Sequence, residues 1–246
     1  MQEECEPIEA YVYLFFADEL EFTNGAEVNH RWLAGNPNSE LFRVAEAVHL
    51  AKALAGGAPR DELEVVMRIR KMADDLDRVM AELLQRYPRN LELLAWHVER
   101  AIEHGDLDKA VELLARLPVE ADGDNRCWRY SGWAKARLGL KEEALADYDH
   151  ALKLHPLDWS TRNLQAGLRR EQQEFDEVDK LQKLVTMARE LARAVKVLPD
   201  VRTVPAELLA RLADFAIECG DEFFATSLRR RLTALPAAGE VTNPQR

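Results

Sequence analysis

The chain has 246 residues, 47% of them hydrophobic and 31% charged, which supplies a core and leaves many positions for solvent. A formal net charge of −11 weighs against a general nucleic-acid binder, whose affinity comes from neutralising phosphates. No apolar run reaches the ~18 residues that a membrane span needs, and Cys5, Cys127 and Cys219 form neither a CxxC pair nor a disulfide framework.

In chain order, the opening "MQEECEPIEA" is acidic where a secretory leader needs basic residues, so a cytoplasmic protein is expected unless Met1 begins a fragment. Residues 1–38 hold eight acidic side chains against Arg31, a net of −7. Within them "YVYLFFADELEF" is apolar nearly all round and is read as a helix capping the first hairpin, a strand being the other reading. "SELFRVAEAVHLAKAL" starts at a capping Ser39 and ends at Gly56-Gly57. "RDELEVVMRIRKMADDLDRVMAELLQRYP" makes its long partner helix, stopping before Pro88.

From residue 91 a repeat emerges. Leu94, Val98 and Ala101 recur at helical spacing, Gly105 offers the left-handed conformation that ends a helix, and Asp106 and Asp108 favour the next N-terminus. Gly105 and Gly139 stand 34 residues apart, as do Ala110 and Ala144, and Leu114 and Tyr148; Pro88 and Pro156 are two such steps apart. One step later Ala166, Phe175 and Val178 match Gly132, Lys141 and Ala144 more weakly. Residues 175–198 form one long helix, "PDVRTVP" follows, and Gly220-Asp221 mark a further hairpin turn out of register. Short turns make neighbouring helices antiparallel, so the chain reads as stacked helical hairpins. Four segments are expected: an acidic N-terminal cap at 1–38, a divergent hairpin at 39–88, regular repeats at 89–236, and a tail at 237–246.

Trp128, Ser131, Gly132, Gly139, Ala144, Tyr148, Ala151 and Pro156 resemble the tetratricopeptide repeat, W-x2-L-G-x2-Y, then A-x3-F, then P. The likeness is best over 91–156 and weaker over 159–198 and 206–236. It implies an all-α right-handed superhelix of antiparallel hairpins, an α-solenoid. It also explains why a helix carries Gly132 between Trp128 and Trp133, at about 1 kcal/mol relative to alanine: the small residue lets two helices approach, with Trp128 filling the space beside it. Ser131 stands where the family prefers leucine and Lys135 where it prefers an aromatic; Lys135 is expected to lay its stem on the core and send its amine to water.

No enzyme signature is present: GxSxG, a Walker loop, GxGxxG and HExxH are all absent. His97 and His104 are seven residues apart, too far for a ligand pair on one helix face, so no metal and no cofactor is expected. Carboxylate pairs such as Glu142-Glu143 and Asp147/Asp149 read as solvated helix surface. The resemblance implies that the first helix of each hairpin lines a concave groove. Its candidate partner-binding residues are Arg126, Arg129, Tyr130, Trp133 and Arg137, with Trp96 in the preceding repeat and Asn163 and Arg170 in the following one. Arginine beside aromatics has the composition of interface hot spots. The alternative places Tyr130 and Trp133 against the neighbouring hairpin and pairs the arginines internally. The lysine/asparagine clamp of some family members is not reproduced, since Ala95, Glu99, Arg129 and Trp133 occupy its positions.

The expected function is therefore a non-catalytic scaffold that binds a protein or peptide partner, acidic or aromatic, with no nucleic acid and no membrane. A self-associating homo-oligomeric scaffold and an accessory domain of a larger enzyme are the alternatives. The acidic 1–38 segment complements the four basic side chains of 126–137 and is a candidate competitor for that helix.

Overall fold

The computed structural model describes residues 34–35, 37–55, 63–198 and 204–234. The stretch "YVYLFFADELEF" and most of the acidic segment lie outside the described residues, so the expected cap and competitor do too. Among the described residues all regular structure is helical, and no helix is long and apolar enough to cross a membrane. The elements are α1 (Glu40–Ala55), α2 (Leu63–Arg86), α3 (Leu91–Glu103), α4 (Leu107–Leu114), a 3-10 turn (Val119–Gly123), α5 (Asn125–Arg137), α6 (Lys141–Leu154), α7 (Trp159–Glu171), α8 (Phe175–Lys196), α9 (Ala206–Glu218) and α10 (Glu222–Ala234). They fall into two compact units that divide within α6, one ending at Asp147 and the other beginning at Tyr148.

In the first unit α1 and α2 form the divergent hairpin, and α2 stops at Arg86 because Pro88 disfavours helical backbone before it. Val44 and Ala47 of α1, Met80, Leu83 and Leu84 of α2, and Leu93, Leu94 and Val98 of α3 meet Leu113 and Tyr130 in one core. The apolar residues lie three to five apart along each helix, with Leu84 and Leu94 widening the stripe beside Leu83 and Leu93, so one stripe faces inward and removes its area from water. In the second unit Leu191 and Val195 of α8, Leu209, Leu212 and Phe215 of α9, and Phe224 and Leu228 of α10 form the corresponding core.

The turns show why the hairpins repeat. Gly105, Gly139 and Gly220 all take positive φ, at 70°, 82° and 83°. At each, the next amide reaches back to close the helix: Asp106 to the Ala101 carbonyl at 2.8 Å, Leu140 to Lys135 at 2.9 Å, Asp221 to Ala216 at 2.8 Å. The turn residue's own amide bonds the following carbonyl, Gly105 to Ile102, Gly139 to Ala136 and Gly220 to Ile217, which completes a Schellman closure.

The weakly matching repeat uses the same turn without glycine. Gln173, one 34-residue step after Gly139, has φ 64°, and Glu174 donates to the Arg169 carbonyl at 3.1 Å. A side chain in left-handed backbone costs about 1 kcal/mol or more. Gln173→Gly is therefore expected to raise stability by about 1 kcal/mol, read from the shift in thermal or urea unfolding. A fall would mean that the glutamine side chain contributes more than its backbone costs.

Helix starts keep the same period. Asn90 accepts from the Leu93 amide at 3.1 Å, Asp124 from Arg126 at 2.9 Å, and Asp158 from Thr161 at 3.1 Å. These three N-caps are 34 residues apart, each open before α3, α5 or α7 and each satisfying an otherwise orphaned donor. Gly132 is buried in α5.

Candidate partner-binding site

The best-matching repeat places its candidate residues on α5, whose Cys127, Tyr130, Gly132 and Ala134 are buried. Burial pushes the Cys127 thiol up to about 12, which keeps it unionised and unreactive. Tyr130, expected on the groove wall, is only 4% exposed and packs into the first unit's core, with its phenol pushed upward by burial. Trp128 donates its indole N–H to the Asp122 carbonyl at 3.0 Å and lines a recess with Leu114, Leu117 and Val119.

Arg126 is committed within the fold. Its guanidinium forms a bidentate pair with Glu92, at 3.0 and 2.7 Å, and also binds Asp124 at 2.6 Å. Burial works against the charge, but the two carboxylates hold the guanidinium above its usual range. On Asp124 burial likewise raises the carboxyl, and hydrogen bonding and charge from Arg126 bring it below the ordinary carboxylate value. Glu92 and Arg126 occupy one position in consecutive repeats, so this pair ties α3 to α5, while Asp124 caps α5 by accepting from the Arg126 amide.

Three further residues stand off the core. Arg129 lies over the Tyr130 ring at 5.3 Å and has other interactions of its own. Trp133 is half-buried, and the exposed Arg137 sits over its ring at 5.9 Å. Arg137 makes no ion pair among the described residues. On α3, Trp96 is half-buried, meets the His97 ring edge-on at 4.7 Å, and carries Arg100 over its face at 5.7 Å. Arg100 is neutralised by Glu103 at 2.9 Å and Asp77 at 3.7 Å. The structure thus gathers Trp96, Arg126, Arg129, Tyr130, Trp133 and Arg137 onto α3 and α5 of the first unit, while Asn163 and Arg170 are exposed on α7 of the second.

Two expectations about α5 and α6 need correction. Asp147 is not solvated surface; it is 5% exposed. Lys135 does not send its amine to water, but donates to Asp147 at 2.9 Å, and the Ser131 hydroxyl donates to the same carboxylate at 2.6 Å. The two departures from the repeat pattern are therefore the two partners of one buried charge. The signal was present in the sequence, since two polar residues on an apolar stripe require a polar counterpart. Glu142, Glu143 and Asp149 are exposed as expected, and Asp149 accepts from Gln165 at 2.8 Å.

His97 is half-buried, and its Nε2 has no hydrogen-bond partner among the described residues. Burial lowers its pKa, against a hydrogen bond to the Met80 backbone that works upward. The folded chain thus holds this imidazole neutral, while the unfolded chain protonates it near the ordinary value of about 6.5. Its contribution to stability is complete above that value and is lost as pH falls towards and below the folded pKa. Urea midpoints measured from pH 7.5 to 5 are expected to fall less for His97→Leu than for the wild type. Parallel falls would remove His97 as the titrating group. Among the described residues no three His, Cys, Asp or Glu side chains converge as metal ligands.

No protein-family model matches the chain. No curated protein matches it either. Among solved structures it is similar to a tetratricopeptide repeat protein from Parabacteroides merdae, at 14% identity and a TM-score of 0.43, with 96% of each chain covered.

Proposed function

We propose that this chain is a non-catalytic helical-repeat module that binds a segment of a protein partner across α3 and α5. The observation that carries the reading is the Trp133–Arg137 pair: an indole and a guanidinium held together outside the core, the cation left without a carboxylate among the described residues. Cation–π contact fixes the arginine side chain before a partner arrives, which lowers the ordering cost of binding. Its remaining N–H groups suit a partner carboxylate, and the indole suits an aromatic or aliphatic side chain. Trp96 extends the apolar part of the face. Arg126 is assigned to holding α3 and α5 together.

The 34-residue recurrence of caps and turns supports the same reading, because locally packed hairpins present a preformed surface. A photo-crosslinking residue at position 133 of the full chain tests it in cells, with the same residue at the exposed Glu143 as control. A discrete crosslinked species at 133, weakened by Arg137→Glu and absent at 143, is expected. Equal or absent crosslinking at the two positions would overturn it.

A further inference from the structure

The second unit carries a groove of opposite character. Counted back from each hairpin turn residue, the sixth and second preceding positions are Trp133 and Arg137 on α5, but Asp214 and Glu218 on α9. α8 and α9 flank an open groove of about 700 Å³ here. Its walls carry four carboxylates, Asp179, Glu190, Asp214 and Glu218, against two cations, Lys183 and Arg211. Its floor includes Met187, whose side chain packs on the second unit's core.

The resident cations already mark where positive charge fits. Lys183 reaches Glu218 at 3.2 Å and Arg211 reaches Glu190 at 3.3 Å, each pair spanning from α8 to α9. Both pairs are well exposed, so water screens them and an incoming cation can replace either partner. Arg229 stands 3.9 Å from Asp214, at the edge of ion-pair range. Glu218 ends α9, whose last turn has no basic residue, so the partial negative charge of the helix terminus adds to its own.

We propose that the α8–α9 groove docks a lysine- or arginine-rich protein segment. The alkyl stems lie along Met187, and the cations take the carboxylates of Asp214 and Glu218 while Lys183 and Arg211 swing out to solvent. This site is independent of the α3–α5 face and takes the opposite charge.

Fluorescence anisotropy with the labelled peptide Ac-AKRLAKRLAKR-amide and the full chain tests it, since an acidic protein binds such a peptide weakly everywhere. Asp214→Asn/Glu218→Gln is expected to weaken binding tenfold or more. Glu142→Gln/Glu143→Gln, which removes the same charge from exposed positions on α6, is expected to change it less than twofold, as is Trp133→Ala/Arg137→Ala. Circular dichroism checks that each variant is folded, and Asp179→Asn offers a second groove variant away from the α9 terminus. Equal losses in the groove and α6 variants, or equal binding of the glutamate-for-basic peptide, would overturn the proposal. So would sedimentation showing that the groove substitutions act by dissociating an oligomer.

Discussion

Asp147→Ala is expected to destabilise the protein by about 2–4 kcal/mol, because it strands a lysine and a serine that were arranged around a carboxylate. Asp147 is buried, and the Lys135 side chain is about one-third exposed, with its ammonium 2.8 Å from a carboxylate oxygen. Without Asp147, the ammonium must turn outward and the Ser131 hydroxyl is left half-buried without its acceptor. The triple change Ser131→Leu/Lys135→Phe/Asp147→Leu is expected to recover most of that loss or exceed the wild type. Apolar replacement of a buried pair is often neutral or stabilising, by about 1–4 kcal/mol. Leu113, one repeat earlier at the position of Asp147, is itself buried, so leucine suits that place in the hairpin. Urea unfolding of the single and triple variants measures both numbers. A triple variant no more stable than Asp147→Ala would show that the charged cluster contributes stability which packing cannot replace.

Phe215→Ala should be the most damaging single change in the second unit, at about 3–5 kcal/mol. Phe215 has no exposed surface and lies among Leu212, Phe224 and Leu228, with each of these also fully buried. Truncation removes the ring's transfer free energy and leaves a void that rigid helices close only in part. Phe215→Leu keeps most of the volume and is expected to cost less than half as much. Hydrogen exchange should report the loss first at amides of α9 and α10 and at Ala188, Leu191 and Val195 of α8, which share that core. If both variants unfold with the wild type, α9 does not hold the core together through this ring.

Much of the architecture was legible because glycine turns and apolar spacing are local. Gly105, Gly139 and Gly220 announced three hairpin turns, and all three close in the same way. Gln173 hid the fourth: glutamine rarely adopts left-handed backbone, so only its place in the 34-residue series marks it. The N-caps Asn90, Asp124 and Asp158 were equally periodic, but each is an ordinary polar residue until its amide partner is known. Candidate site residues were harder to read. Tyr130 and Arg126 share a helix with Trp133 and Arg137, yet one is drawn into the core and the other is consumed by Glu92 and Asp124. Which side of a helix faces inward follows from periodicity; which charges find one another depends on the neighbouring helix. Asp147 is the clearest case, since nothing local separates a solvated carboxylate from one enclosed by Ser131 and Lys135.

The junctions at Asp106 and Asp221 have a practical corollary for anyone re-engineering the chain. Each aspartate donates its amide to finish one rod and lends its carboxylate to begin the next, so one added residue would spoil two terminations together. The 3-10 turn before α5 is tied as well, since the Asp122 carbonyl holds the Trp128 indole and Asp124 caps α5 on either side of Gly123.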